Sequence, residues 1–229
     1  MERRKFVSGA LLLGGTATLQ ACMGGGMPGG LPMGGGSGGG ASWTDVVKTA
    51  KSAATKMANG AVGATEALLT IGNAIGYKGQ SALAAGELQK AKDGDLSALA
   101  TVAEKGAGFN EDIKKLLESK KSFDANEKKA IGQAIGEYAI AVLNFVLGMN
   151  DVLVAVDQAK SAGQPGIGDL EAIKIAKDLP ALGKVIAQHG PSYISSVQEY
   201  IKLAKMADIA VPKQAEEKAS EAKKSFKLT

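Results

Sequence analysis

Apolar and small residues recur at alternating three- and four-residue steps from Val47 to Ile75. The series is Val47, Ala50, Ala54, Met57, Ala61, Ala64, Leu68, Ile71 and Ile75. That spacing predicts one helix with a continuous seam. Four of the nine are alanine, so the seam invites close approach by another helix. Gly60, Gly63, Gly72 and Gly76 each cost about 1 kcal/mol in a helix interior and predict a bend or break near residue 60. A second long helix is predicted after Asp124, which forms a capping-box pattern with Glu127. Its seam runs Ile131, Ile135, Tyr138, Val142, Phe145, Met149, Val152, Val156 and Ala159. A stripe of small residues, Ala134, Ala141, Gly148 and Ala155, lies beside it. A helix apolar on more than one face belongs at the centre of a bundle. The window 138–156 is broken by Asn144, Asn150 and Asp151. It reads as a buried core helix, with a membrane-inserting segment as the alternative.

The remaining pattern repeats at offsets that agree within one residue, 84 and 83. Gly79-Gln80 recurs as Gly163-Gln164, and Glu87 and Lys90 recur as Glu171 and Lys174. Asp95-Leu96-x-Ala98-Leu99-x-x-Val102 recurs as Asp178-Leu179-x-Ala181-Leu182-x-x-Val185. The two seams begin at Val47 and Ile131, the same distance apart. This agreement predicts an internal duplication with a period of about 83 residues. The expected fold is all-α, a helical bundle of two tandem pseudo-symmetric repeats, 43–124 and 125–212. Each repeat is read as a long helix, a glycine turn, two short helices and a closing helix. Asn110 is expected to cap 111–121, and Gly190-Pro191 to stop one helix and start the next. Pro212 then opens a polar helix or tail, 213–229, with little to bury.

Composition narrows the chemistry. Residues 1–21 carry three of the 27 basic and one of the 23 acidic residues, so the rest of the chain is near neutral at +2. There is no concentrated basic stripe with aromatics, and nucleic acid is not an expected partner. One cysteine and one histidine rule out disulfides within the chain and a histidine-rich metal centre. No Glu-x-x-His pair, Cys-x-x-Cys-His site, phosphate loop or Gly-x-Ser-x-Gly elbow occurs. No cofactor, metal or catalytic residue is therefore assigned.

The N-terminus has its own order. Arg3, Arg4 and Lys5 precede an apolar stretch from Phe6 to Leu13, then small residues, then Leu19-Gln20-Ala21-Cys22. The segment is too short and too glycine-broken to span a bilayer with about 20 apolar residues. Its last four residues resemble the lipobox of bacterial lipoproteins, with Leu19 at −3 and Ala21 at −1 from Cys22. The resemblance implies cleavage after residue 21 and a diacylglycerol thioether on Cys22, whose freed amine is then acylated, for example by palmitate. Arg3-Arg4-Lys5-Phe6-Val7 resembles a twin-arginine export signal, which implies folding before export. A general-secretion signal is the alternative. Met23 follows the cysteine where aspartate usually marks inner-membrane retention, so the resemblance favours the outer membrane. Residues 23–41 hold eleven glycines, two prolines and no charge. They read as a flexible tether with a mean span of roughly 24 Å and a full reach of about 60 Å.

Four residues of the second helix are candidate ligand or partner contacts: Tyr138, Asn144, Phe145 and Asp151. Asn144 and Asp151 lie seven apart, and if buried they would orient a polar headgroup. Asp95 and Asp178 occupy matching repeat positions and are read first as helix N-caps, with paired-carboxylate chemistry as the alternative. His189, before Gly190-Pro191, is read as structural near a helix C-terminus. The lysine pairs 114–115, 120–121, 128–129 and 223–224 are read as a solvated face, with lipid phosphates as the alternative partner. The first functional expectation is a non-enzymatic, lipid-anchored envelope protein that binds a protein partner. The alternatives are a carrier of an apolar ligand such as a lipid, held between the halves, a membrane-perforating helix and, last, an enzyme built on His189.

Overall fold

The computed structural model describes residues 41–77 and 85–226. The chain divides near Gly38, and the unit from Gly39 to Thr229 is the one described. It is all-α. Among the described residues there are six helices and no strand: α1 (Trp43–Ile75), α2 (Ala85–Lys92), α3 (Leu96–Ser119), α4 (Ala125–Ala162), α5 (Leu170–Met206) and α6 (Lys213–Ser225).

The expected seams of α1 and α4 are their inward faces. From Ala50 to Ile71, and from Ile131 to Val152, the seam residues are buried, and only their ends are half-buried. Local signals set the starts of the helices. Ser42 Oγ accepts from Asp45 N–H at 3.2 Å to cap α1. The capping box of α4 is complete, with Asp124 Oδ1 accepting from Glu127 N–H at 2.8 Å and Glu127 Oε2 accepting from Asp124 N–H at 3.0 Å.

α1 does not break near residue 60. It runs unbroken for 33 residues, about 50 Å at 1.5 Å per residue. Its glycine serves packing instead. A Cβ at Gly60 would lie 2.5 Å from Phe145 N and 2.8 Å from Ala141 O. A Cβ at Gly148 of α4 would lie 2.7 Å from Met57 N and 3.1 Å from Ala53 O. Each helix thus lays a bare backbone stretch against the backbone of the other. Residues 53, 57 and 60 play the parts of 141, 145 and 148, so the two helices are antiparallel around a local two-fold. That offset is 88, one helical turn beyond the sequence offset, and any antiparallel pair has a local two-fold. The duplication therefore rests on the sequence pattern alone.

The other helices follow α1 and α4 in alternation. α3 runs parallel to α1, with Ile113 against Gly72. α5 runs parallel to α3, because Tyr193 and Tyr200 donate to the carbonyls of Ala103 and Asn110 at 2.9 Å each. α2 descends along α3, joined by Lys105 Nζ to Glu87 Oε1 at 2.9 Å. α6 runs parallel to α4, from Pro212 on Gly136 to Asn150 Nδ2 donating to Ser225 O at 2.6 Å.

Several expected boundaries moved. Asn110 caps nothing; it is a fully buried interior residue of a single α3. Asp178 is not an N-cap, since α5 is capped by Asp169 and passes through it. Gly190-Pro191 neither stops nor starts a helix, and Pro180 is also interior. Each proline removes an i→i−4 hydrogen bond. The burial of Leu179, Leu182, Ile186, Tyr193 and Val197 on both sides keeps the helix whole. His189 accordingly lies inside α5 rather than near its end. The short and closing helices of the expected plan are thus merged, into α3 in the first half and α5 in the second. α6 also buries more than expected. Ala215, Ala219 and Ala222 are buried, the 210–212 segment lies on Gly132 and Gly136, and Phe226 packs on Gly190.

The crossing is testable by adding one methyl group. Gly60→Ala should destabilise the bundle by about 1–3 kcal/mol, because its Cβ meets rigid backbone. Gly108→Ala, on the open face of α3 where a Cβ meets nothing, should stabilise it by about 0.5–1 kcal/mol. Urea unfolding measures both, and shifts of the same sign at the two positions would reject the close crossing.

Candidate functional site

The residues of the export and lipidation signal, Arg3, Arg4, Leu19, Ala21 and Cys22, lie outside the described residues, as does the Gly79-Gln80 turn. The four candidates on α4 are described, and the structure does not gather them. Tyr138 and Phe145, seven apart, share the inner face and are buried. Asn144 and Asp151, also seven apart, share the outer face. Asn144 is exposed. Asp151 Oδ2 is paired with Lys56 Nζ at 2.6 Å across the α1–α4 contact. An apolar ligand held against Val142, Phe145 and Met149 has no room, because all three are packed in the core. Phe145 packs against Tyr193 in a tilted pair with ring centroids 4.8 Å apart.

Tyr138 belongs instead to a buried polar cluster that sequence did not reveal. Its hydroxyl lies 3.2 Å from Asn110 Oδ1 and 2.7 Å from Ser196 Oγ, and Ser196 Oγ also lies 2.7 Å from Tyr193 O. Two hydroxyl protons cannot fill three contacts. Turning the Asn110 amide supplies a third: the amide NH2 donates to Tyr138, Tyr138 to Ser196, and Ser196 to the Tyr193 carbonyl. This orientation also employs Asn110 Nδ2, which otherwise has no partner while buried. Burial pushes the Tyr138 phenol above its ordinary range, and it pushes those of Tyr193 and Tyr200 up as well. None of the three ionises near neutral pH. The cluster ties α3, α4 and α5 together and has no outlet for chemistry.

The repeat-matched charges do converge. Lys90, Asp95, Glu171, Lys174 and Asp178 line a surface cleft of about 300 Å3, with Lys51 of α1. Lys51 pairs with Glu171, and Lys174 Nζ lies 3.2 Å from Asp95 Oδ2. Asp95 Oδ1 accepts from Ser97 N–H and Ala98 N–H at 3.0 Å each, so Asp95 is the expected N-cap. The Ala98 N–H, then Lys174, hold its carboxyl below the usual value of 3.8 against partial desolvation. A carboxylate kept ionised in this way is a poor general acid. Among the described residues, no three His, Cys, Asp or Glu side chains converge to hold a metal ion. His189 is not at this cleft. Of the lysine pairs, Lys114 bonds Glu111 and Glu199, Lys120 bonds Glu127, and Lys128 bonds Asp208.

A second groove, of about 370 Å3, is apolar. Trp43 of α1 forms one wall, Val156 and Ala159 of α4 another, and Leu179 and Pro180 of α5 the third. The Trp43 indole N–H has no partner among the described residues. This groove lies at the end of the bundle where α1 begins, α4 ends and α5 begins. Sequence reasoning missed it, because its walls come from three distant segments.

No family model, curated protein or solved structure matches the chain.

The Asp95 cap gives a pH signature. Its folded pKa is depressed, so its contribution is present above the unfolded value and is lost as pH falls through the folded one. Wild type should exceed Asp95→Asn in stability at neutral pH, and the gap should close in acid below about pH 4. Urea midpoints across that range test it; a gap that does not change with pH would mean the charge of Asp95 contributes nothing.

Proposed function

We propose that the chain is a non-enzymatic, lipid-anchored protein of the bacterial envelope whose helical body holds a protein partner. The outer membrane is the favoured site, through lipid on Cys22. The anchor half of the reading is supported by Leu19, Ala21 and Cys22 in lipobox order and by the uncharged tether. The binding half is carried by one observation, the outward stripe of α4. Ile140, Leu147 and Val154 recur every seven residues and are 37%, 40% and 50% exposed. Glu137, Asn144 and Asp151 alternate with them on the same face. A ridge of this kind suits a helix laid alongside it, with apolar anchors and a polar rim.

The same helix bears on the perforation reading. α4 is long and apolar enough to cross a membrane, but the core helix of a globular bundle meets the same description. Drawing it out would expose its glycine crossing with α1 and the buried Tyr138 cluster, which weighs against that reading. The apolar groove beside Trp43 supports the carrier reading better than the packed interior near Phe145 does. That ligand site would be on the surface at the tether end rather than between the halves.

Cys22→Ser should move the protein from the membrane fraction to the soluble fraction and remove the mass of the acyl groups. Native mass spectrometry of protein from its own host should find a stoichiometric protein partner, lost in the exposed-face variant Leu147→Glu with the fold intact. A co-purifying lipid without a protein would favour the carrier, and a partner retained by Leu147→Glu would reject the α4 ridge as its site.

A further inference from the structure

We propose that the tip of the α4–α5 loop is a second membrane contact: Ile167 and Leu170 insert into the bilayer beside the lipid on Cys22 and seat the bundle end-on. The proposal rests on the lipid-anchor reading and adds an orientation to it. Ile167 is 95% exposed and Leu170 78% exposed, and Ile173, one turn further along α5, is 39% exposed. Such exposure of paired large aliphatic side chains at an exposed loop is costly in water. Met206, 75% exposed, has no such neighbour and lies at the other end of α5, about 55 Å away at 1.5 Å per residue.

The position of the tip argues for a bilayer over a protein or a second copy. Trp43, the first residue of α1, lines the same groove as Gly163, Gln164 and Pro165, the start of the same loop. The segment from Cys22 to Ser42 therefore enters the bundle at the end that carries the tip. With a tether spanning roughly 24 Å, the tip meets the lipid surface at an effective concentration on the order of millimolar. Weak insertion then suffices, as a second signal added to a lipid anchor.

This end also carries the cleft of Lys90, Asp93, Asp95, Glu171, Lys174 and Asp178, whose charges are mixed in sign, while the tip itself is uncharged. Residues 163–168, Gly-Gln-Pro-Gly-Ile-Gly, carry no charge, and the Asp169 carboxylate faces back to cap α5, accepting from Ala172 N–H at 3.0 Å. Lys51, Lys160 and Lys174 are paired with Glu171, Asp157 and Asp95. The contact is therefore apolar and needs no anionic lipid. End-on seating also leaves the outward ridge of α4 along the side of the bundle, open to a partner.

Trp43 is the only tryptophan and reports on this end. The full lipidated chain is reconstituted into phosphatidylcholine vesicles with brominated or unbrominated acyl chains, and co-sedimentation and Trp43 emission are both read. Brominated chains should quench Trp43, equally at low and molar salt. Ile167→Glu with Leu170→Glu should abolish most of the quenching while the protein still co-sediments and its helical circular dichroism is unchanged. Ile167→Leu should behave as wild type. Co-sedimentation without quenching, or quenching that survives the double substitution, would overturn the proposal and leave the anchor in place. A chain that fails to co-sediment would overturn the anchor reading, and this inference with it.

Discussion

The bundle depends on one contact, the place where α1 and α4 touch backbone to backbone. Gly60 and Gly148 each open a gap that the other helix fills with main chain. Every glycine inside a helix costs about 1 kcal/mol, and here the close approach returns dispersion contacts along two long helices. Ala50, Ala53, Ala54, Ala61 and Ala64 on α1 continue the small surface on both sides. With so few aromatics in the chain, close packing of small residues does the work that large side chains do elsewhere. Once α1 and α4 are joined, the alternation of the remaining helices is a matter of covering their exposed flanks.

The cover on one flank is partly polar. Tyr138, Asn110 and Ser196 form a proton-matched chain between α3, α4 and α5, while Tyr193 and Tyr200 reach across to carbonyls of α3. A buried polar group costs free energy unless it is paired, so this cluster favours the one register of α3, α4 and α5 in which all its members are paired. On the other flank, α6 lays three alanines on α4 and closes with Phe226 over Gly190. A segment of polar composition thus becomes part of the body because its few apolar positions fall on one face.

Both ends of this body carry lysines paired to acids. One has the Lys120–Phe123 turn and the Asp208 turn. The other has the cleft of Lys51, Asp95, Glu171 and Lys174, and adds the apolar groove and the uncharged 163–168 loop. The proposed lipid anchor would join the end that has the apolar tip, and the ridge on α4 runs along the side of the bundle. His189 lies in the middle of α5.

Sequence alone determined the helical class, the inward faces of α1 and α4, the capping box at Asp124 and the cap at Asp95. These depend on neighbours three or four residues away, so periodicity and side-chain type suffice. It also carries the whole case for the lipid anchor, since Leu19, Ala21 and Cys22 form a contiguous motif. It misjudged where helices stop: Gly60, Asp178 and Gly190-Pro191 look like breaks locally, yet the burial on either side of them outweighs a weak turn. It grouped Asn144 and Asp151 with Tyr138 and Phe145 as candidate ligand or partner contacts, and the structure divides them between the outer and inner faces of α4. Only the tertiary structure decided which face of α4 is outward, that Asn110 meets Tyr138 and Ser196, and that Trp43 lies beside the 163–165 loop. Those pairings join residues 28 to more than 100 positions apart, and no local pattern encodes a distance that only packing creates.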